Sequence, residues 1–208
     1  MISDAGTLAD SATTWIALLR AVNVGRANRI AMPALHKSLE ALGYGAIRTY
    51  LQSGNAVFTA PSASSETLGA EIAARLAADN GIDVGVVVAS AEELAAIVRA
   101  NPLLAEPSID RAALHVIVLG CAPDRARFDA LELPCRPGEV AVLLGRAIYL
   151  ALPWGAGNTK LTNARFERAL GCVATARNWR TATALLAMVT EGEPGGGALH
   201  APSEPHSS

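Results

Sequence analysis

One order of elements, met twice along the chain, limits the fold more than any other feature of the sequence. Trp15 to Val24 reads as a buried strand with Ile16, Leu18 and Val22 among its apolar residues, followed by a polar loop, Gly25 to Arg29. Leu35, Leu39 and Leu42 lie four and three apart and mark one face of a helix over Met32–Leu42, which Gly43 stops. Strands over Ile47–Gln52 and Ala56–Ala60 meet at Ser53-Gly54-Asn55, a hairpin turn. Leu68, Ile72 and Leu76 share a face of a second helix, Glu66–Ala78, closed by Asn80-Gly81, and Val84–Ala89 supplies a fourth strand. β-α-β-β-α-β is the split unit of ferredoxin-like folds.

Ser90 with Glu93 three residues on is a capping-box pattern, and the helix it starts ends near Asn101-Pro102. The order then returns. Strands are expected at His115–Leu119, Val140–Leu144, Ile148–Leu152 and Val173–Trp179, with Gly145-Arg146 at the second hairpin. Helices are expected at Asp124–Leu131 and Thr162–Leu170, with a closing helix at Thr181–Val189. Residue identities barely match between the two passes, so the repeat is one of structure. The expectation is an α+β chain of two tandem ferredoxin-like lobes with mostly antiparallel sheets. The first lobe and its helix take residues 13–100, a linker 101–111, and the second lobe with its C-terminal helix 112–191. Residues 1–12 read as a flexible N-terminus, and the Gly-, Pro- and Ser-rich 192–208 as a disordered tail.

Composition narrows the function classes. At 51% hydrophobic and 17% charged, the 208 residues have the balance of a globular chain. The net charge of −2 argues against a protein that coats nucleic acid, although a local basic site is compatible with it. Cys121, Cys135 and Cys172 are odd in number, form no Cys-x-x-Cys pair and have no histidine at zinc-ligand spacing. They read as free thiols in a reducing compartment, with no metal and no cofactor. Met1 to Ala12 carries Asp4 and Asp10 and lacks the apolar core of a signal peptide. No apolar run approaches the roughly 18 residues that span a bilayer. A cytoplasmic protein without a membrane partner is expected.

Four stretches carry a family resemblance. They are Leu18-Leu19-Arg20-Ala21-Val22-Asn23-Val24-Gly25, Arg48-Thr49-Tyr50-Leu51-Gln52-Ser53-Gly54-Asn55, Thr159-Lys160-Leu161-Thr162-Asn163 and Ala174-Thr175-Ala176-Arg177-Asn178-Trp179. In this order they resemble the uncharacterised bacterial family catalogued as domain of unknown function 1697 (DUF1697), from about Trp15 to Met188. The resemblance implies two ferredoxin-like lobes and implies no activity. Ala21 stands where the family usually has Gly, and Arg26 where a second Gly is common, which implies a stiffer loop here.

Two polar constellations are candidate ligand sites. The first joins Arg20, Asn23, Asn28 and Arg29 after the first strand to Gln52, Ser53 and Asn55 at the hairpin. Strand alternation brings both to one end of the sheet, and Arg, Asn and Gln supply donors for phosphate or base edges. The competing reading has Asn23 and Asn55 satisfying turn backbones and Arg20 covering a sheet edge. The second constellation places Asn158, Thr159, Lys160, Thr162 and Asn163 before one helix, and Arg177, Asn178, Trp179, Arg180 and Thr181 before the next. Helix N-termini with added cations make anion sites. Alternatively Thr162 and Thr181 are plain N-caps and Trp179 is core.

Enzyme signatures are missing: there is no Gly-x-Ser-x-Gly, His-Glu-x-x-His or Walker loop. His115 reads as a packed strand residue. RNA-recognition sheets stack bases on several aromatics of their central strands, whereas Trp15 and Phe58 are all these strands offer. The expected function is therefore non-enzymatic binding of a phosphate-bearing ligand, a nucleotide or a nucleic-acid segment. The alternatives are an enzyme of unrecognised type in the cleft between lobes, and a protein-interaction module or homodimer.

Overall fold

A computed structural model describes residues 12–24 and 28–191. The expected flexible N-terminus (up to residue 11), loop residues 25–27 with Arg26, and the expected tail 192–208 lie outside the described residues.

The first half comprises β1 (Thr13–Leu19), α1 (Met32–Glu40), β2 (Gly45–Tyr50), β3 (Asn55–Ala60), α2 (Ser65–Asn80), β4 (Val86–Ser90) and α3 (Ala91–Arg99). The second comprises β5 (Leu114–Leu119), α4 (Arg125–Asp129), β6 (Val140–Leu144), β7 (Ala147–Ala151), α5 (Asn163–Leu170), β8 (Ala174–Asn178) and α6 (Trp179–Thr190). The strands form two four-stranded sheets, ordered β2-β3-β1-β4 and β6-β7-β5-β8. Every strand pair in them is antiparallel. Between the halves, 3-10 turns at Pro102–Ala105 and Arg111–Ala113 interrupt the expected linker, and Leu103 is buried.

β1 is apolar on both faces because it is central and both faces are covered. Trp15, Ala17 and Leu19 join Phe58 in a core under α1 and α2, where Tyr44 stacks on Phe58 with ring centroids 4.8 Å apart. Ile16, Leu18, Val57 and Val87 point the other way, into a central core shared with α3, α6 and the inner face of the second sheet. Tyr149 lies in that core and donates its hydroxyl to Ile97 O at 2.8 Å. The outer face of the second sheet packs Ile117, Leu119, Ile148 and Leu150 against Phe128 and Phe166.

Local chemistry sets the boundaries. Ser64 Oγ accepts Thr67 N–H at 3.0 Å to start α2, and Gly81 ends it at φ 65°. Ser90 Oγ accepts Glu93 N–H as expected, but the Glu93 carboxylate turns to Arg146 instead of returning to the cap. β1 is shorter than the sequence implies: Ala21 (φ 51°) and Asn23 (φ 57°) are left-handed and end the ladder after Leu19. α6 begins earlier than expected because Asn178 is its cap, with Oδ1 accepting Thr181 N–H at 2.8 Å. No helix among the described residues is long and apolar enough to cross a membrane.

Candidate functional site

The first constellation does gather at one end of the first sheet. Leu19 N donates to Gly54 O and Arg20 N to Gly85 O, both at 2.8 Å, so the exit of β1, the β2–β3 turn and the start of β4 are tied together. Gly54 is needed there. It has φ 71°, and a Cβ on it would lie 2.5 Å from Val22 Cγ2 and 2.7 Å from Leu19 Cβ. Asn23 fastens the loop to the hairpin, donating Nδ2–H to Ile30 O (2.9 Å) and Gln52 O (2.6 Å) while Oδ1 accepts Ile30 N–H (3.0 Å). Asn28 contributes its carbonyl to Asn23 N–H and has φ 50°; Arg29 is exposed. Asn55 donates to Tyr50 O and Ser53 Oγ. The side chains of Asn23 and Asn55 are thus occupied in holding backbone.

Arg177 joins this end from the other half. Its side chain leaves β8 and enters the seam, where the residue is 8% exposed. Nε donates to Asn55 Oδ1 (2.5 Å), Nη1 to Thr175 Oγ1 and Ala176 O (both 2.8 Å), and Nη2 to Leu19 O (2.9 Å), Ser53 O (3.2 Å) and Gly54 O (3.3 Å). All its partners are neutral oxygens. Burial pushes the guanidinium down to about 10, which leaves it charged at neutral pH. Its donors are spent within the protein.

Arg20 is committed as well. Its Nε and Nη2 grip Glu167 of α5 in a two-point pair at 2.5 and 2.7 Å, and Glu167 Oε1 also accepts Ala174 N–H. Glu167 is the lone acid between Lys160 and Arg180. Each basic residue therefore reaches across to the opposite half.

The second constellation separates. β7 and β8 end at the same edge, opposite Leu114 and His115 of β5. Their helices then take opposite faces, each following its apolar side. Phe166 and Leu170 of α5 enter the outer core, while Trp179, Ala182 and Leu185 of α6 enter the central one. Asn178, Trp179 and Thr181 are a cap, a core residue and a buried first-turn residue. Lys160, Thr162 and Asn163 lie on the far side of the sheet from them.

What remains there is a basic groove of about 560 Å³ along α5, lined by Leu131, Thr159, Lys160, Thr162, Arg165 and Arg168. No carboxylate lines it, and its three cationic side chains have no partner among the described residues. Thr162 Oγ1 caps Arg165 N–H at 3.3 Å. The groove thus combines unpaired cations with the positive end of an eight-residue helix. Sequence reasoning did not single out Arg165 and Arg168, although their spacing of three puts them on one helix face with Lys160 just upstream.

A larger cavity lies elsewhere. A cleft of about 900 Å³ between the 102–113 segment and β6–β7 is walled by Leu103, Ile109, Val140, Val142 and Leu152. Its acids are Glu106 and Asp110, and Asp110 Oδ1 is engaged in capping Ala112 N–H. Among the described residues, no histidine or cysteine lines it. Both faces of the central strands are covered, so neither sheet offers bases the open platform of an RNA-recognition module.

The sequence pattern of a family described as "Protein of unknown function (DUF1697)" matches residues 12–149. The chain belongs to the DUF1697 family. The match takes in the first two resemblance stretches, at Leu18 and Arg48; the stretches at Thr159 and Ala174 lie beyond it. No curated protein matches this DUF1697 chain. Among solved structures it is similar to the conserved bacterial protein SP0830 from Streptococcus pneumoniae, at 23% identity and a TM-score of 0.65, covering 86% of this chain and 99% of that one. At that identity the likeness concerns the fold alone.

Proposed function

We propose that the chain is a binding protein for a phosphate-bearing ligand, a nucleotide or a nucleic-acid segment, docked in the groove of Lys160, Thr162, Arg165 and Arg168. The observation that carries this is three cations that, among the described residues, have no partner and line one concave surface without an acid. In a chain of net charge −2, such a local patch draws anions despite the global balance. Phosphate suits it because guanidinium forks bind phosphate oxygens in pairs. Among the described residues the groove has no aromatic side chain to stack a base, which favours recognition of phosphate over nucleobase.

The same proposal takes each half as a ferredoxin-like unit, supported by the β-α-β-β-α-β order and the matching strand orders. A cytoplasmic setting, where free thiols persist, accompanies it.

Calorimetric titration of the full chain with inorganic phosphate, nucleotides and short oligonucleotides tests the reading. Affinity is expected to fall as salt rises. Arg165→Ala and Arg168→Ala are each expected to weaken binding about tenfold, the loss of about 1.4 kcal/mol. Binding no tighter than millimolar, or binding indifferent to both substitutions, overturns it.

A further inference from the structure

Two of the three cysteines meet at the seam. The β5–β8 ladder pairs Leu119 with Ala174 and continues through Gly120 N donating to Val173 O at 2.7 Å. One further step along this register sets Cys121 opposite Cys172. Ala174 N–H points outward to Glu167, so Leu119 and Ala174 form a non-hydrogen-bonded pair, and the same alternation, carried past the ends of β5 and β8, gives that register to Cys121 and Cys172. Cα atoms of such pairs lie about 4.5 Å apart, inside the roughly 4.4–6.8 Å that a disulfide spans.

The pair is also reachable. Cys121 and Cys172 are both partly exposed, and Cys172 lines a cleft of about 260 Å³ bounded by Glu66 and Gly69 of α2, Val86 of β4 and Gly120. Cys135 is exposed and stands apart at another position in the second half.

We propose that Cys121 and Cys172 form a reversible dithiol–disulfide site that exchanges with small-molecule disulfides of the glutathione class. A thiolate of the pair attacks one sulfur of the small disulfide, whose S–S bond breaks and whose departing half leaves as a thiol after taking a proton. The second cysteine loses its proton, attacks the mixed disulfide, and expels the other half as a thiol. Two protein thiols are oxidised to one disulfide, and one small disulfide is reduced to two thiols. Burial and the Cys121 thiol push Cys172 up to about 11, so it rests as a thiol at neutral pH, and a sulfur of this kind is a slow leaving group once bonded.

The consequence is local. β8 begins where Ala174 is held by Glu167, itself gripped by Arg20 of the other half. A bond between Cys121 and Cys172 staples that point.

The test equilibrates the full chain, as wild type and as Cys135→Ser, in buffers of reduced and oxidised glutathione, then alkylates free thiols and maps peptides by mass. The expected result is one internal Cys121–Cys172 linkage, two hydrogens lighter, reversed by reductant and accompanied by a raised unfolding midpoint. Cys121→Ser is expected to leave glutathione attached to Cys172. Two free thiols in fully oxidised glutathione, separate adducts on both cysteines, or links between chains would each overturn the proposal.

Discussion

Arg177 Nε donates to Asn55 Oδ1 at 2.5 Å, joining two buried side chains 122 positions apart and on different sheets. The guanidinium also serves three carbonyls of the first half, those of Leu19, Ser53 and Gly54. Arg177→Ala removes these bonds from a buried seam, and the expected loss is about 3 kcal/mol or more in urea unfolding. Arg177→Lys is expected to lose nearly as much, because an ammonium cannot reproduce the planar fork. A variant within about 1 kcal/mol of wild type, by the same measurement, would show that the seam finds other donors.

The Arg20–Glu167 pair is a weaker tie, since its side chains are 32% and 21% exposed. A double-mutant cycle with Arg20→Ala and Glu167→Gln is expected to give a coupling of about 0.5–1 kcal/mol, reduced by salt. Coupling that is zero at low salt contradicts a formed pair.

Backbone strain gives two predictions of opposite sign. Ala21 holds φ 51°, where a Cβ is unfavourable, so Ala21→Gly is expected to raise stability by about 1 kcal/mol. Gly54→Ala meets both a positive φ and the side chains of Val22 and Leu19, and is expected to cost about 3 kcal/mol. Thermal melts of the two variants beside wild type measure both.

Tyr149 supplies a pH test. Burial raises its phenol from 10.0 to about 12. Between those values the unfolded chain has lost the proton that the folded chain retains, so the folded state binds more protons and this stability contribution falls as pH rises. Below pH 10 Tyr149→Phe is expected to cost about 1 kcal/mol through the lost bond to Ile97 O. Above it the gap to wild type should narrow, because only wild type carries the titrating phenol. Denaturant melts of both proteins across that range check the slope; a constant gap contradicts the assignment.

Much of the architecture was legible because it is local. Leu68, Ile72 and Leu76 at helical spacing, and the Ser53-Gly54-Asn55 turn between apolar runs, announce α2 and the β2–β3 hairpin without knowledge of their partners. The family was legible in short polar strings such as Leu18 to Gly25. The pairings across the seam were not. Periodicity reports that Ile16 and Leu18 face something apolar, but not that the second half covers them. Nor does anything near Arg177 in sequence announce Asn55. The division of α5 and α6 between opposite faces was hidden for the same reason, and it separated Lys160 from Asn178. Arg165 and Arg168 stayed in the background because charges on a short helix ordinarily mark a solvated face.

The direction of synthesis gives the Arg177 anchor a temporal meaning. Asn55 emerges from the ribosome 122 residues before the arginine that its amide will receive. At translation rates of about 5–20 residues per second, that interval is roughly ten seconds. Throughout it the carbonyls of Leu19, Ser53 and Gly54 lack the guanidinium that will serve them, and the apolar face of Ile16, Leu18 and Val57 has no cover from the second half. The first half therefore completes its packing only once β8 has arrived.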